Sequence, residues 1–181
     1  MQYAAFLRGI NVGGHNIAKM ADVKQLFLDI GFSHVRTYIQ SGNVLFESPE
    51  PPDALAIQNA FALRFGFESA IVLRSYMQIR NIVAHAPFPP ELSEQAVQER
   101  PDVEHLYVYL SPSAIDTARL EKSISTYEGR DQLYLHSCEA YLLCFGSVRD
   151  SKLAAVLNKP ALSLTARNMN VMGKLLEMME G

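Results

Sequence analysis

The apolar positions along the chain change period several times, and each change marks an element. Tyr3 to Leu7 is an unbroken apolar run closed by Arg8 and Gly9, the pattern of a short buried strand. Val23, Leu26, Phe27 and Ile30 then recur at helical spacing, and Gly31 stands where a C-terminal cap belongs, predicting a helix from Ala21. Val35 to Gln40 and Val44 to Glu47 are β-rich, with Ser41-Gly42-Asn43 between them as a hairpin-type connection. Pro49, Pro51 and Pro52 close that unit. Asp53 is the expected cap of a second helix, whose apolar positions are Leu55, Ile57, Ala60, Phe61 and Leu63. Ala70 to Leu73 predicts another strand, and Tyr76 to His85 another helix that stops before Pro87. Through residue 73 the order is β-α-β-β-α-β, the split βαβ or ferredoxin-like motif.

The polar, proline-bearing stretch Pro87 to Asp102 predicts a linker, and after it the same order starts again. His105 to Leu110 predicts a strand, Pro112 and Ser113 open a helix to about Ser125, and Leu133 to His136 with Tyr141 to Phe145 predict a second hairpin. A helix over Ser151 to Leu157 follows, then a last one from about Asn168 to Met179. The expected class is α+β. Its halves are a ferredoxin-like unit over 1–86, a linker over 87–102, and a second unit over 103–181 that carries an extra C-terminal helix. The halves share no convincing residue-level identity, so the duplication is expected in architecture alone.

Composition bounds the class further. The 49% hydrophobic content supports a sizeable core, and 19% charged residues argue against disorder. A formal net charge of −3 gives no global pull toward nucleic acid or an anionic membrane. No stretch approaches the roughly 18 apolar residues of a membrane helix. Met1-Gln2-Tyr3 lacks a basic region and Arg8 interrupts the apolar run, unlike a secretory signal. Two cysteines, Cys138 and Cys144, make no disulfide framework and suit a reduced cytoplasmic setting.

Candidate chemistry concentrates in the loop Arg8-Gly9-Ile10-Asn11-Val12-Gly13-Gly14-His15-Asn16 at the exit of the first strand. Glycine lets backbone N–H groups approach an anion, and Arg8 can fork onto a phosphate or carboxylate. The glycines fit neither GxGxxG nor GxxxxGK[ST]. Ile17 to Met20 also separate the loop from the next helix. The competing reading is a tight connection with Arg8 in a structural ion pair. Central pairing of strands one and three brings the Ser41-Gly42-Asn43 tip toward this loop, although Asn and Gly are also ordinary turn formers. A third cluster is Thr165-Ala166-Arg167-Asn168-Met169-Asn170. Thr165 or Asn168 there suits a helix cap, and helical spacing puts Arg167, Asn170 and Lys174 on one side.

Other residues point away from chemistry. The five histidines lack metal-ligand spacing, Gly-x-Ser-x-Gly is absent, and both cysteines read as structural thiols. No catalytic residue and no cofactor is identified; Glu47 and His15 serve as a base only if the fold brings them to the pocket. Tyr107 and Tyr109 share a strand face and faintly resemble the first strand of RNA-recognition modules. Tyr141 to Phe145, however, lacks the basic, glycine-bearing partner motif.

The motifs RGINVGG, RTYIQSGNV and TARNMN, in that order, resemble the domain-of-unknown-function 1697 family. That resemblance implies a bacterial α+β protein with ferredoxin-like duplication and no assigned activity. Arg8, Asn11, Ser41, Gly42, Asn43, Arg167 and Asn168 fit the family's pattern. Family members often carry Lys where this chain has His15, making a permanent charge titratable, and many carry Trp in place of Met169.

The leading expectation is a cytoplasmic protein that binds a small anionic or nucleotide-like metabolite. Its candidate ligand-binding residues are Arg8, Asn11, Gly13, Gly14, His15, Ser41, Gly42, Asn43, Arg167 and Asn168. The alternative is a single-stranded RNA-binding or protein-interaction module. No metal and no membrane partner is expected, and internal duplication favours a monomer.

Overall fold

The structure, a computed structural model, describes residues 1–181 except Ala86. It divides into two compact units, Met1–Val83 with Gly173–Gly181, and Ala84–Met172.

The first unit contains β1 (Gln2–Leu7), α1 (Met20–Asp29), β2 (Ser33–Tyr38), β3 (Asn43–Glu47), α2 (Ala54–Phe65), β4 (Ile71–Ser75) and α3 (Tyr76–Ala84, whose last residue falls in the other unit). Its sheet order is β2-β3-β1-β4, antiparallel throughout, as the ferredoxin-like motif requires. Local chemistry matches the expectation closely. The Asp53 carboxylate accepts from Leu55 N–H to start α2, and Gly66 ends it at φ +76°.

Period-two alternation sends Tyr3, Ala5, Leu7, Val44, Phe46 and Ile71 into one core cluster with Val23, Phe27, Ile57 and Phe61 of the helices. The other face is buried too: Ala4, Phe6, Leu45, Val72 and Arg74 are all nearly inaccessible.

The second unit contains α4 (Pro90–Glu99), β5 (Leu106–Leu110), α5 (Thr117–Ile124), β6 (Gln132–His136), β7 (Glu139–Leu143), α6 (Lys152–Leu157) and β8 (Thr165–Asn168), with sheet order β6-β7-β5-β8. Two expectations change here. The segment 87–102 carries α4 instead of a bare linker. Pro90 sits at the first helical position, and the single fully buried residue, Ala96, gives too narrow an apolar stripe to announce a helix.

The Thr165–Asn168 segment is an unexpected fourth strand, and it leads directly into α7, which runs from Met169 to Glu180, within a residue of the expected bounds. Arg167 therefore does not share a helix side with Asn170 and Lys174. Asn168 does cap α7, its Oδ1 accepting from Val171 N–H at 2.8 Å. Residues 173–181 group with the first unit rather than with 103–172.

The duplication extends to one residue. Arg74 pairs across from Ala4 in β4, and Arg167 across from Val108 in β8. Both are buried, and each donates from Nη1 to the carbonyl of the preceding residue, Leu73 at 2.8 Å and Ala166 at 2.7 Å. Each precedes the polar residue that leads into a helix, Ser75 or Asn168.

Candidate functional site

The site is built where β1 leaves the first sheet. Leu7 N–H donates to the Gly42 carbonyl at 2.8 Å, and Arg8 N–H to that of Ala70 at 2.9 Å. Ser69 Oγ donates to the Arg8 carbonyl at 3.0 Å. The loop base is thus stitched to the β2–β3 tip on one side and to the approach to β4 on the other.

Ile10 turns inward and is buried. A Cβ at Gly42 would stand 2.9 Å from Leu7 Cβ and 3.0 Å from Ile10 Cδ1, and Gly42 has φ +79°. Both backbone conformation and close approach therefore demand glycine there.

Asn11 organises the rest. Its Nδ2 donates to the carbonyls of Ala18 (2.9 Å) and Gln40 (3.0 Å), and its Oδ1 accepts from Ala18 N–H (2.9 Å). Asn11 N–H also donates to the Asn16 carbonyl at 3.0 Å, and Asn16 Nδ2 to that of Gly9 at 3.2 Å. Between these asparagines, Val12–His15 closes a tight hairpin whose central Gly13 and Gly14 have φ +59° and +79°, the pattern of a type I′ turn. On the neighbouring tip, buried Asn43 donates from Nδ2 to the Tyr38 carbonyl and to Ser41 Oγ, both at 3.0 Å.

The structure thus brings Arg8, Asn11, Gly13, Gly14 and His15 into one connected region with Ser41, Gly42 and Asn43. Asn11 and Asn43 hold backbone there. Gly13, Gly14, His15 and Ser41 are exposed, and Arg8 is half-buried. Arg167 and Asn168 belong to the second unit. Arg167 is buried in a sheet, and burial pushes its guanidinium down to about 10.

Glu47 does not join the region. It pairs with Gln2 at the start of β1 and is met by His34 at 3.3 Å, about 13 Å along β3 from Asn43.

Sequence reasoning missed three apolar side chains in this polar neighbourhood. Val12 is 66% exposed, Ile17 60% and Ile39 48%. Ile39 also adopts φ +50°, a strained conformation for a β-branched residue. Apolar residues that fit neither period were the available signal.

Elsewhere, scattered histidines meet: the rings of His85 and His136 stack at 5.4 Å beside Tyr134 and Tyr141. Among the described residues, no three His, Cys, Asp or Glu side chains gather as a metal site. Tyr109 is buried under the helices and Tyr107 packs against the same cluster. The strand face offered for base stacking is therefore a core face. Cys144 is buried, and burial pushes its thiol up to about 12.

The profile of a family described as proteins of unknown function, DUF1697, matches residues 1–141. The chain belongs to that family. Among curated proteins none matches. A solved structure of conserved bacterial protein SP0830 from Streptococcus pneumoniae is similar at 24% identity with a TM-score of 0.73, covering 98% of this chain and 97% of that one. This DUF1697 chain therefore has the fold of that protein. Among its described residues no helix is long and apolar enough to cross a membrane.

Proposed function

We propose that the β1 exit of this chain binds a small anionic, nucleotide-like metabolite. The observation that carries the reading is the Asn11 clamp, which fixes the glycine hairpin and the Gln40–Gly42 tip beside each other. Three asparagines spend their side chains holding backbone, so the site is pre-organised before any ligand arrives. The exposed glycine turn permits close approach of an anion to the main chain, Arg8 and Lys19 supply cationic groups, and His15 supplies a ring that can hydrogen-bond. Val12, Ile17 and Ile39 of these two loops are exposed apolar side chains, available to the apolar body of such a ligand. This combination favours a ligand with an anionic end and an apolar body.

The reading is one of binding. Its best-placed polar residues are structural, and Glu47 lies at the far end of the strand from His15's loop. Free thiols at Cys138 and Cys144 support a cytoplasmic setting.

A thermal-shift titration with adenosine monophosphate, pyrophosphate and adenosine tests it. The phosphorylated compounds are expected to raise Tm, with the nucleotide exceeding both, and Arg8→Ala to remove the shift without lowering the unliganded Tm by more than a few degrees. Equal shifts in wild type and Arg8→Ala overturn the assignment.

A further inference from the structure

The second unit contains a cavity of about 380 Å³ between α4, the start of β5 and the first turn of α7, within the about 300–1,000 Å³ typical of small-molecule sites. Its lining mixes apolar Val97, Leu106, Leu143 and Met169 with polar Ser93 and the exposed Glu104 and Asn170. Its polar functions differ in kind from those at the β1 exit.

Glu104 lines the cavity, and its two carboxylate oxygens share one partner, Asn170 Nδ2, at 2.8 Å each. A carboxylate offers about four acceptor positions, so this one keeps unused capacity. No lysine or arginine among the described residues answers it. The nearby Arg100 is committed to Asp102 through Nε and Nη2 at 3.0 and 3.1 Å. Asn170 has turned its amide N–H toward Glu104, which leaves its side-chain carbonyl as a second acceptor in the same wall.

His105 provides no competing polar edge. Its Nδ1 lies 2.7 Å from the Cys144 carbonyl oxygen and its Nε2 2.8 Å from that of Arg100, so the ring sits between the end of α4 and the sheet, donating to one of these carbonyls according to its tautomer. The ring is buried and braces the cavity's back wall. A half-open cavity that sets a carboxylate and an amide carbonyl beside apolar Leu143 and Met169 suits a ligand that brings N–H donors and a positive charge on an apolar body.

We infer that this cavity binds a small primary amine carried on an apolar body, with the ammonium group held by Glu104 and the Asn170 carbonyl. The apolar body fills the space between Val97, Leu143 and Met169. Such a site is separate in residues and in ligand charge from the anion site of the first unit.

Phenethylamine, 2-phenylethanol and 3-phenylpropanoate share an apolar body and differ in charge, so a nuclear magnetic resonance titration that follows the backbone amides of Leu106 and Asn170 tests the inference. The amine is expected to bind about tenfold or more tighter than the alcohol, and the carboxylate weakest. Glu104→Gln, which keeps an oxygen for Asn170 but removes the charge, is expected to bring amine and alcohol to equal affinity. Val97→Trp, an exposed position that narrows the cavity, is expected to weaken both compounds. Equal binding of amine and alcohol to wild type, a preference that survives Glu104→Gln, or no perturbation by any of the three overturns it.

Discussion

The side-chain amide of Asn11 donates to the main-chain carbonyl of Gln40, 29 residues away, at 3.0 Å. The same side chain spans Ala18 with a donor and an acceptor, at 2.9 Å each. One asparagine therefore ties the loop to itself and to the neighbouring hairpin tip.

Asn11→Gly keeps the left-handed backbone at φ +55° and removes all three side-chain bonds. It is expected to cost about 1–3 kcal/mol by urea denaturation, and to raise amide exchange at Ala18. Asn11→Ala adds the left-handed penalty of about 1–2 kcal/mol and is expected to be the more damaging of the two.

The glycines of this region separate by what surrounds them. A Cβ at Gly13 or Gly14 meets open space, so an alanine there suffers the backbone penalty alone, about 1–2 kcal/mol. Gly42→Ala also drives a methyl into Leu7 and Ile10. Overpacking adds about 1–3 kcal/mol, and denaturation midpoints should order the variants with Gly42→Ala lowest.

Arg74 and Arg167 occupy matching places in the two sheets and are both buried. Arg74→Ala and Arg167→Ala are each expected to lower stability by about 2–5 kcal/mol, the range for truncating a large buried side chain. Arg8→Ala, at a half-buried loop position, should change stability far less in the same measurement.

Stability should fall in alkali. Burial raises the Cys144 thiol from 9.0 to about 12, and burial also raises the Tyr109 hydroxyl. The folded chain then retains protons that the unfolded chain releases. The thiol's contribution is complete below about pH 9 and is lost as pH rises from 9 toward 12. Each such group contributes a slope of up to about 1.4 kcal/mol per pH unit in that window. Denaturation curves from pH 8 to 11 should show the decline, and Cys144→Ala should make it shallower.

The sequence by itself determined the elements of residues 1–84 almost completely. Alternation in β1 and β3, helical spacing in α1 and α2, Asp53 at a cap and glycines at turns all act between neighbours along the chain, so their signals are local. It also marked the Arg8–Asn16 loop and the Ser41–Asn43 tip, because glycines and asparagines gather where left-handed backbone is needed.

Tertiary structure alone decided what those residues do. The division of labour between Asn11, which holds Gln40, and Arg8, which stays half-exposed, depends on which carbonyl each group meets across 29 residues or more. The same holds for β8. A four-residue strand with a buried arginine has too little periodicity to be read, and pairing with β5 supplies the hydrogen bonds that make it a strand. The cavity beside Glu104 is a further case: its walls come from α4, β5, β7 and α7, so no local pattern announces it.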